Sequence, residues 1–199
     1  MNTILNLFQQ ALLAEAAYAD LPGAVGNQEE LLRALDVANR TRFNGSFSTP
    51  QATEFVKNWR VAYHTPDTTN GFSATLFERL DASGNPTGQY SLGIRGSTWD
   101  NLALDFQADV GDIFQDGVVL QQLVDLYNYW HRLTAAPNSS YQTARLITLV
   151  TETVQLQEGL ITEAELRSRP DIVIDSPSQT VRTIRFETSA QADGIGLAT

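Results

Sequence analysis

Cysteine is missing from all 199 residues, and its absence removes several kinds of chemistry at once. A chain without thiols has no disulfide framework, no thiolate metal site and no cysteine nucleophile. Long apolar runs are missing too, since none approaches the roughly 20 residues that a membrane-spanning helix requires. The first twenty residues lack the basic segment of a signal peptide and are interrupted by Gln9, Gln10 and Glu15, so we expect them to form a folded helix.

Positive charge is scarce. The chain has 13 Lys and Arg residues against 23 Asp and Glu residues, for a net charge of −10. Nucleic-acid binding depends on clustered Lys and Arg side chains, so this balance excludes a nucleic-acid partner. The hydrophobic content of 42% is enough to bury a core in a chain of this length. We therefore predict a single domain over residues 1–199.

The N-terminal region has the spacing of amphipathic helices. Apolar residues recur every three or four positions up to Leu21-Pro22-Gly23, which predicts a first helix that ends there. A second helix is predicted from about Gln28 to Asn39. A short third helix follows Thr49-Pro50 and runs to Trp59, because proline is favoured in the first turn of a helix.

The clearest local pattern is a β-hairpin. From Gly71 to Leu80 the side chains alternate in character, as they do along a strand. Residues 81–88 are dense in turn formers, and Gln89 to Ile94 then forms a second apolar strand. Two strands separated by such a turn favour antiparallel pairing.

The second half of the chain begins with an amphipathic helix over 118–133. Leu146 to Leu156 is rich in Thr and Val, and both a strand and a buried helix remain open for it. Thr162 followed by Glu165 predicts a capped short helix. Short strands are predicted over 171–174 and 181–186.

The stretch from Tyr90 to Trp99 contains Arg95-Gly96-Ser97 and resembles the element of class 3 lipases in which a hydrophobic strand runs into Arg-Gly-Ser or Arg-Gly-Thr. Three supporting features keep the family's order: the early helix over 11–20, the Ala-Asp-Val sequence at 108–110, and the amphipathic helix 118–133. The likeness covers roughly Ala11 to Leu133. It is particularly similar to the lipase domains of secreted bacterial repeat-containing lipases, which also tend to be acidic and free of cysteine.

This resemblance implies an α/β fold, specifically an incomplete α/β-hydrolase-like fold with N-terminal helices followed by a β-hairpin and a sheet packed with helices. It implies hydrolysis of carboxylic esters, acylglycerols above all, through an acyl-serine intermediate that needs no organic cofactor. The expected partners are an ester or lipid substrate and a lipid interface. Secretion without an N-terminal signal peptide is implied, with a cytoplasmic location as the alternative.

In class 3 lipases the Ser or Thr after Arg-Gly contributes to the oxyanion hole, so the resemblance assigns that role to Ser97 through its backbone N–H and its hydroxyl. Fixed donors aimed at the oxyanion of ester hydrolysis are worth about 3 kcal/mol each. Gly96 permits backbone conformations that a side chain forbids. Arg95 and Asp109 are expected to support the loop, with Asp100 as another carboxylate partner for Arg95.

The nucleophile motif of an α/β-hydrolase is not found in this sequence. An α/β-hydrolase needs Gly-x-Ser-x-Gly, yet the only glycines four residues apart are Gly84 and Gly88, with Pro86 between them. His64 is interpreted as a loop residue and His131 as a packing residue at a helix end. We therefore predict that the isolated chain is inactive, with a triad of Ser97, His131 and an Asp as the minor alternative.

The final residues 193–199 resemble the strand that leads into the nucleophile elbow of these lipases. This likeness predicts that the chain is a fragment whose nucleophile, acid and His are encoded beyond Thr199. The segment 135–188 is longer than the connection expected before that strand, so we interpret it as an insertion that forms a lid or part of the substrate-binding face.

Two further alternatives remain open. Asp105, Asp109 and Asp112, with Asp116, recur at a spacing that makes them weak candidates for calcium ligands, although a solvated acidic face is the preferred interpretation. The alternative to the hydrolase is a non-catalytic α+β binding or structural module that contains an Arg-Gly-Ser turn. A reading frame that continues into Gly-x-Ser-x-Gly favours the hydrolase, and one that stops at Thr199 favours the module.

Overall fold

In the computed structural model the described residues are 3–39, 46–65, 68, 71–95, 120–175 and 178–189. Chain contacts divide the protein into two compact units, Met1–Thr98 and Trp99–Thr199. The prediction of one domain over residues 1–199 stays a prediction.

The helices of the first unit begin where the sequence offers caps. Helix α1 spans Thr3–Ala16, α2 spans Gln28–Leu35 and α3 spans Thr49–Asn58, with short 3₁₀ turns at Pro22–Ala24 and Val37–Asn39. The Asn27 side chain accepts a hydrogen bond from the Glu30 backbone N–H at the start of α2. Ser48 and Gln51 form a capping box ahead of α3. The predicted α3 is confirmed, whereas α1 and α2 are present but each stops earlier than expected, at Ala16 and Leu35.

The first unit contains an antiparallel sheet with the order β1-β2-β3. Strand β1 spans Trp59–Thr65, β2 spans Ser73–Leu80 and β3 spans Pro86–Arg95. The predicted hairpin of β2 and β3 is confirmed. Its turn is held by Asp81, whose Oδ1 accepts hydrogen bonds of 2.8 Å from the backbone N–H groups of Ser83 and Asn85.

The core of the first unit lies between this sheet and the helices. Phe55 contacts both Phe47 and Phe77 edge-to-face, with ring centroids 5.5 and 5.7 Å apart. A Cβ built on Gly93 would lie 3.0 Å from the Ala17 Cβ, so the missing side chain lets the end of α1 pack directly on β3. Around these residues the core is completed by Leu13, Ala16, Leu21, Leu31, Leu35, Ala52 and Val61.

The second unit combines short helices with a second antiparallel sheet of order β4-β6-β5. Its elements are α4 (Leu120–Thr134), β4 (Tyr141–Thr148), α5 (Val150–Gln157), α6 (Glu163–Arg167), β5 (Ile172–Asp175) and β6 (Thr180–Ser189). The ambiguous stretch 146–156 contains the end of a strand and a helix, since β4 ends at Thr148 and α5 begins at Val150; that helix is largely exposed and not the buried helix of the alternative. The Thr162–Glu165 capping box is confirmed.

Helix α4 is joined to β4 by side-chain hydrogen bonds, and those of Asn128 reach the strand backbone. The Asn128 amide accepts a hydrogen bond from the Ala144 N–H at 2.6 Å and donates one to the Ala144 carbonyl at 3.0 Å. This amide occupies the backbone groups of one residue much as a neighbouring strand would. A small apolar cluster joins α5 and α6 to β5 and β6. Its members are Leu156, Leu166, Ile172, Ile174 and Val181.

The broad fold class is therefore as predicted, because helices and sheets are mixed along the chain. Both sheets in the described residues are antiparallel. The segment 135–188, interpreted as a lid or substrate-binding insertion, forms most of the second sheet together with α5 and α6. Its role stays a prediction.

Candidate functional site

The site predicted from sequence begins where β3 ends. Arg95 is the last residue of β3, is paired with Ser73 of β2, and is 8% exposed. Gly96 and Ser97 follow directly but lie outside the described residues, as does Asp100. The structure therefore defines the anchor of the predicted oxyanion loop and leaves the loop itself as a prediction.

A histidine approaches this anchor from β1. The Nδ1 atom of His64 lies 2.8 Å from the Oγ1 atom of Thr75, which is fully buried on β2. The two residues are partners in the β1–β2 ladder, so strand register fixes the contact. His64 was interpreted as a loop residue before Pro66, and that interpretation is wrong because the residue lies within a strand.

The surroundings keep the imidazole of His64 neutral. The pKa of His64 is lowered from 6.5 to about 4, and burial is the main cause. The carboxylate of Asp20, which follows α1, opposes this shift by favouring the protonated ring, and the positive charge of Arg95 adds to the shift. Residues from β1, β3 and the turn after α1 thus determine the charge of this ring.

This cluster is suited to positioning and not to nucleophilic attack. Thr75 is fully buried, so no substrate reaches its hydroxyl even though His64 is within hydrogen-bond distance. Ser73 is also buried, and its hydroxyl donates a 2.9 Å hydrogen bond to the Thr65 carbonyl. The hydroxyls of β2 therefore join the first two strands to each other at the end where the β3 loop begins.

His131, the other histidine, belongs to the second unit. It lies in the last turn of α4, and its ring packs against that of Tyr127 with centroids 4.2 Å apart. Tyr127 in turn contacts Phe186 on β6. The interpretation of His131 as a packing residue at a helix end is confirmed.

The remaining predicted site residues lie in residues 96–119, outside the described part. These are the loop-support residue Asp109 and the weak calcium candidates Asp105 and Asp112. Among the described residues, no group of three or more His, Cys, Asp or Glu side chains is arranged to hold a metal ion. The calcium proposal thus stays a prediction about undescribed residues.

Sequence reasoning missed β1 and with it the role of His64. The run Trp59-Arg-Val-Ala-Tyr-His-Thr65 is rich in aromatic and β-branched residues, which favour strands. That signal was obscured because Phe55, Val56 and Trp59 also fit a helical face. Asp20 was missed because it belongs to a segment that was considered only for its helix.

In comparisons with known proteins, no protein-family model, no curated protein and no solved structure matches the chain. Within the described ranges, no helix is long and apolar enough to cross a membrane.

Proposed function

We propose that this chain contributes the oxyanion-forming part of a class 3 lipase-like α/β-hydrolase, whose complete form hydrolyses carboxylic esters such as acylglycerols through a serine nucleophile. The 199 residues contain no Gly-x-Ser-x-Gly sequence, so the nucleophile belongs to residues beyond this sequence. Ser97 supplies the oxyanion donors in this proposal. Activity resides in the extended protein and not in the 199-residue chain.

The observation that supports the proposal best is the anchoring of Arg95. An oxyanion donor is effective only when it is fixed before the charge develops, because donors that must reorganise lose most of their benefit. Arg95 is buried, paired with Ser73 and preceded by a strand on which α1 packs closely at Gly93. Arg95, which directly precedes Gly96 and Ser97, is therefore held in a rigid part of the fold, as a preorganised site requires.

The His64 cluster gives further support. A neutral imidazole beside Arg95 adds no second positive charge to the buried end of β3. Because the Thr75 hydroxyl lies within hydrogen-bond distance of the ring, the position of the ring is determined by the sheet. In the proposed enzyme, His64 and Thr75 are positioning residues for the loop that starts at Gly96.

In our proposal the antiparallel sheet of the first unit forms only part of the α/β-hydrolase. The fold places its nucleophile on a sharp turn that follows a strand. In our proposal the sequence resemblance of residues 193–199, which lie outside the described part, places that turn after them in the chain. The hydrolase fold therefore rests on the resemblance at Arg95-Gly96-Ser97 together with the anchoring of Arg95.

The proposal is tested with p-nitrophenyl ester hydrolysis by the 199-residue chain and by a protein extended by the next hundred or so encoded residues. We expect activity only in the extended protein. In that protein Ser97→Ala removes the hydroxyl and should lower kcat by about 10²-fold, whereas Ser97→Thr keeps the hydroxyl and should retain most of the activity.

Three outcomes contradict the proposal in different ways. Ser97-dependent activity in the short chain would make Ser97 itself the nucleophile. Equal kcat values for the Ser97→Ala and parent extended proteins would remove Ser97 from the oxyanion hole. Inactivity of the extended protein with every ester would favour the non-catalytic binding module.

A further inference from the structure

A groove of about 810 Å³ lies at the hairpin-turn end of the first sheet. Its walls come from the start of α2, the end of α3 and the β2–β3 turn, all within the first unit. Arg95 lies at the opposite end of β3, seven ladder positions from Leu80 on β2, or about 23 Å at the rise of a strand. The groove is thus distant from Arg95, the residue that precedes the proposed oxyanion loop.

Both carboxylates of the groove are already engaged. Glu54 lies 3.2 Å from the Lys57 Nζ and 3.2 Å from the Asn58 Nδ2, and these contacts hold its pKa below the ordinary value, with the Lys57 hydrogen bond as the main cause. Asp81 is turned into the hairpin, where the backbone N–H of Asn85 is the main cause of its lowered pKa. Each carboxylate is ionised and directed toward partners of its own.

Arg79 differs from the other charged residues of the groove. It is half-buried, and its guanidinium lies over the Trp59 ring, 5.9 Å from the centroid, because the two residues are partners in the β1–β2 ladder. Within the described ranges, no carboxylate or carbonyl accepts a hydrogen bond from Arg79. A guanidinium has five N–H donors in a planar fork, so a half-exposed arginine of this kind can donate to a planar acceptor.

We propose that this groove binds an organic monocarboxylate with an apolar tail, of the chemistry of a fatty-acid anion, through Arg79. The planar fork of arginine matches a planar carboxylate with two parallel hydrogen bonds. Val56, Leu80 and Ala82 supply apolar lining for the tail.

The charges of the groove select against a phosphate. Lys57 and Arg79 carry two positive charges and Glu54 and Asp81 two negative ones, so a dianion would meet two fixed carboxylates with only one unpaired cation to hold it. A monocarboxylate needs one bidentate partner, which Arg79 supplies, and it is repelled less by Glu54 and Asp81 than a dianion is. This site does not depend on the proposed hydrolase, since binding is a property of the 199-residue chain.

The test is titration of sodium octanoate into the 199-residue chain by isothermal calorimetry, with sodium acetate and inorganic phosphate as comparison probes. A second readout is the NMR signal of the Trp59 indole N–H, assigned with Trp59→Phe. We expect saturable binding of octanoate, weaker binding of acetate, and a shift of the indole signal. Arg79→Gln should raise the Kd at least about tenfold, as expected for the loss of hydrogen bonds to a charged group.

Lys57→Gln is the matched control, because it removes the other cation of the groove, which Glu54 already pairs; its Kd should change by less than about threefold. Arg79→Lys keeps the charge without the fork and should bind with intermediate affinity. If circular dichroism shows that Arg79→Gln does not fold, the Kd of Arg79→Lys tests the proposal instead. Unchanged Kd in the Arg79 variants, phosphate binding as tight as octanoate, or octanoate binding that never saturates would each overturn the proposal.

Discussion

The central strands of the two sheets, β2 and β6, differ in how far they bury their side chains. Strand β2 buries Ser73, Thr75 and Glu78 among its apolar residues, so each polar group on it needs a partner within the protein. Strand β6 buries Val181 but exposes most of its C-terminal half, including Phe186 and Glu187. A similar ion pair should therefore matter greatly in the first sheet and little in the second.

The largest expected effect is at Arg60, which donates hydrogen bonds from Nε and Nη2 to one oxygen of Glu78 at 2.8 and 2.5 Å. The Glu78 side chain is 3% exposed and that of Arg60 is 36% exposed. Arg60→Met keeps the apolar stem but leaves a buried carboxylate without its counterion. We expect a loss of about 3 kcal/mol in the free energy of unfolding, measured by urea denaturation.

The matched control is Arg60→Met combined with Glu78→Gln, which replaces the buried charge by a neutral amide. The double variant should recover most of the free energy of unfolding that Arg60→Met loses. The other Glu78 oxygen accepts the Gly88 N–H at 3.0 Å, and Tyr90 hydrogen-bonds the same carboxylate, so some structure around it persists. A loss under about 1 kcal/mol in the single variant would mean that water reaches Glu78 and that the sheets differ less than their burial indicates.

Burial also decides how much of this fold was predictable from sequence. The hairpin was predicted because alternation along β2 and the turn formers at 81–88 are local signals. Alternation places Glu78 on the face of Phe72, Ala74 and Leu76, yet its burial depends on Arg60, which belongs to the unpredicted strand β1. Partners distant in the chain are a tertiary property that periodicity does not encode.

The second-largest effect is a dependence of stability on pH through His64. Its pKa is 6.5 in an unfolded chain and about 4 in the folded protein, so the native state binds fewer protons between these values. Stability is therefore complete above pH 6.5 and is lost as the pH falls toward 4. We expect this group to contribute about 2 kcal/mol of the decline from pH 7 to pH 4.5, measured by urea denaturation at several pH values.

His64→Asn separates this contribution from those of the carboxyl groups. Glu54 and Asp81 also have lowered pKa values, but their ordinary values are 4.5 and 3.8. The stability that these two carboxylates contribute is therefore lost mainly below the pH range in which His64 acts. The variant should show a flatter decline between pH 6.5 and pH 4.5. Equal slopes for the variant and the parent chain would show that His64 is solvated like an exposed residue.

The candidate site was predictable only in its local part. Arg95-Gly96-Ser97 was identified because a strand running into that tripeptide is a contiguous pattern. The contributions of His64, Thr75 and Asp20 required the register of β1 on β2 and the end of α1, which are set by packing. Arg79 was noted only as a residue of the alternating strand, because nothing local shows that Trp59 lies beneath it.

The smallest expected effect is at Arg145, and it completes the comparison between the sheets. Its guanidinium lies 3.7 Å from Glu187, with the two side chains 65% and 44% exposed, so water screens the attraction. Arg145 also stands opposite Arg185 in the β4–β6 register, and like charges in that position repel. Because the two contributions oppose each other, Arg145→Gln should change the free energy of unfolding by less than about 0.5 kcal/mol, with unchanged hydrogen-exchange protection of the β6 amides. A loss near that of Arg60→Met would mean that the β4–β6 surface is covered in solution and that its ion pairs are as shielded as those of β2.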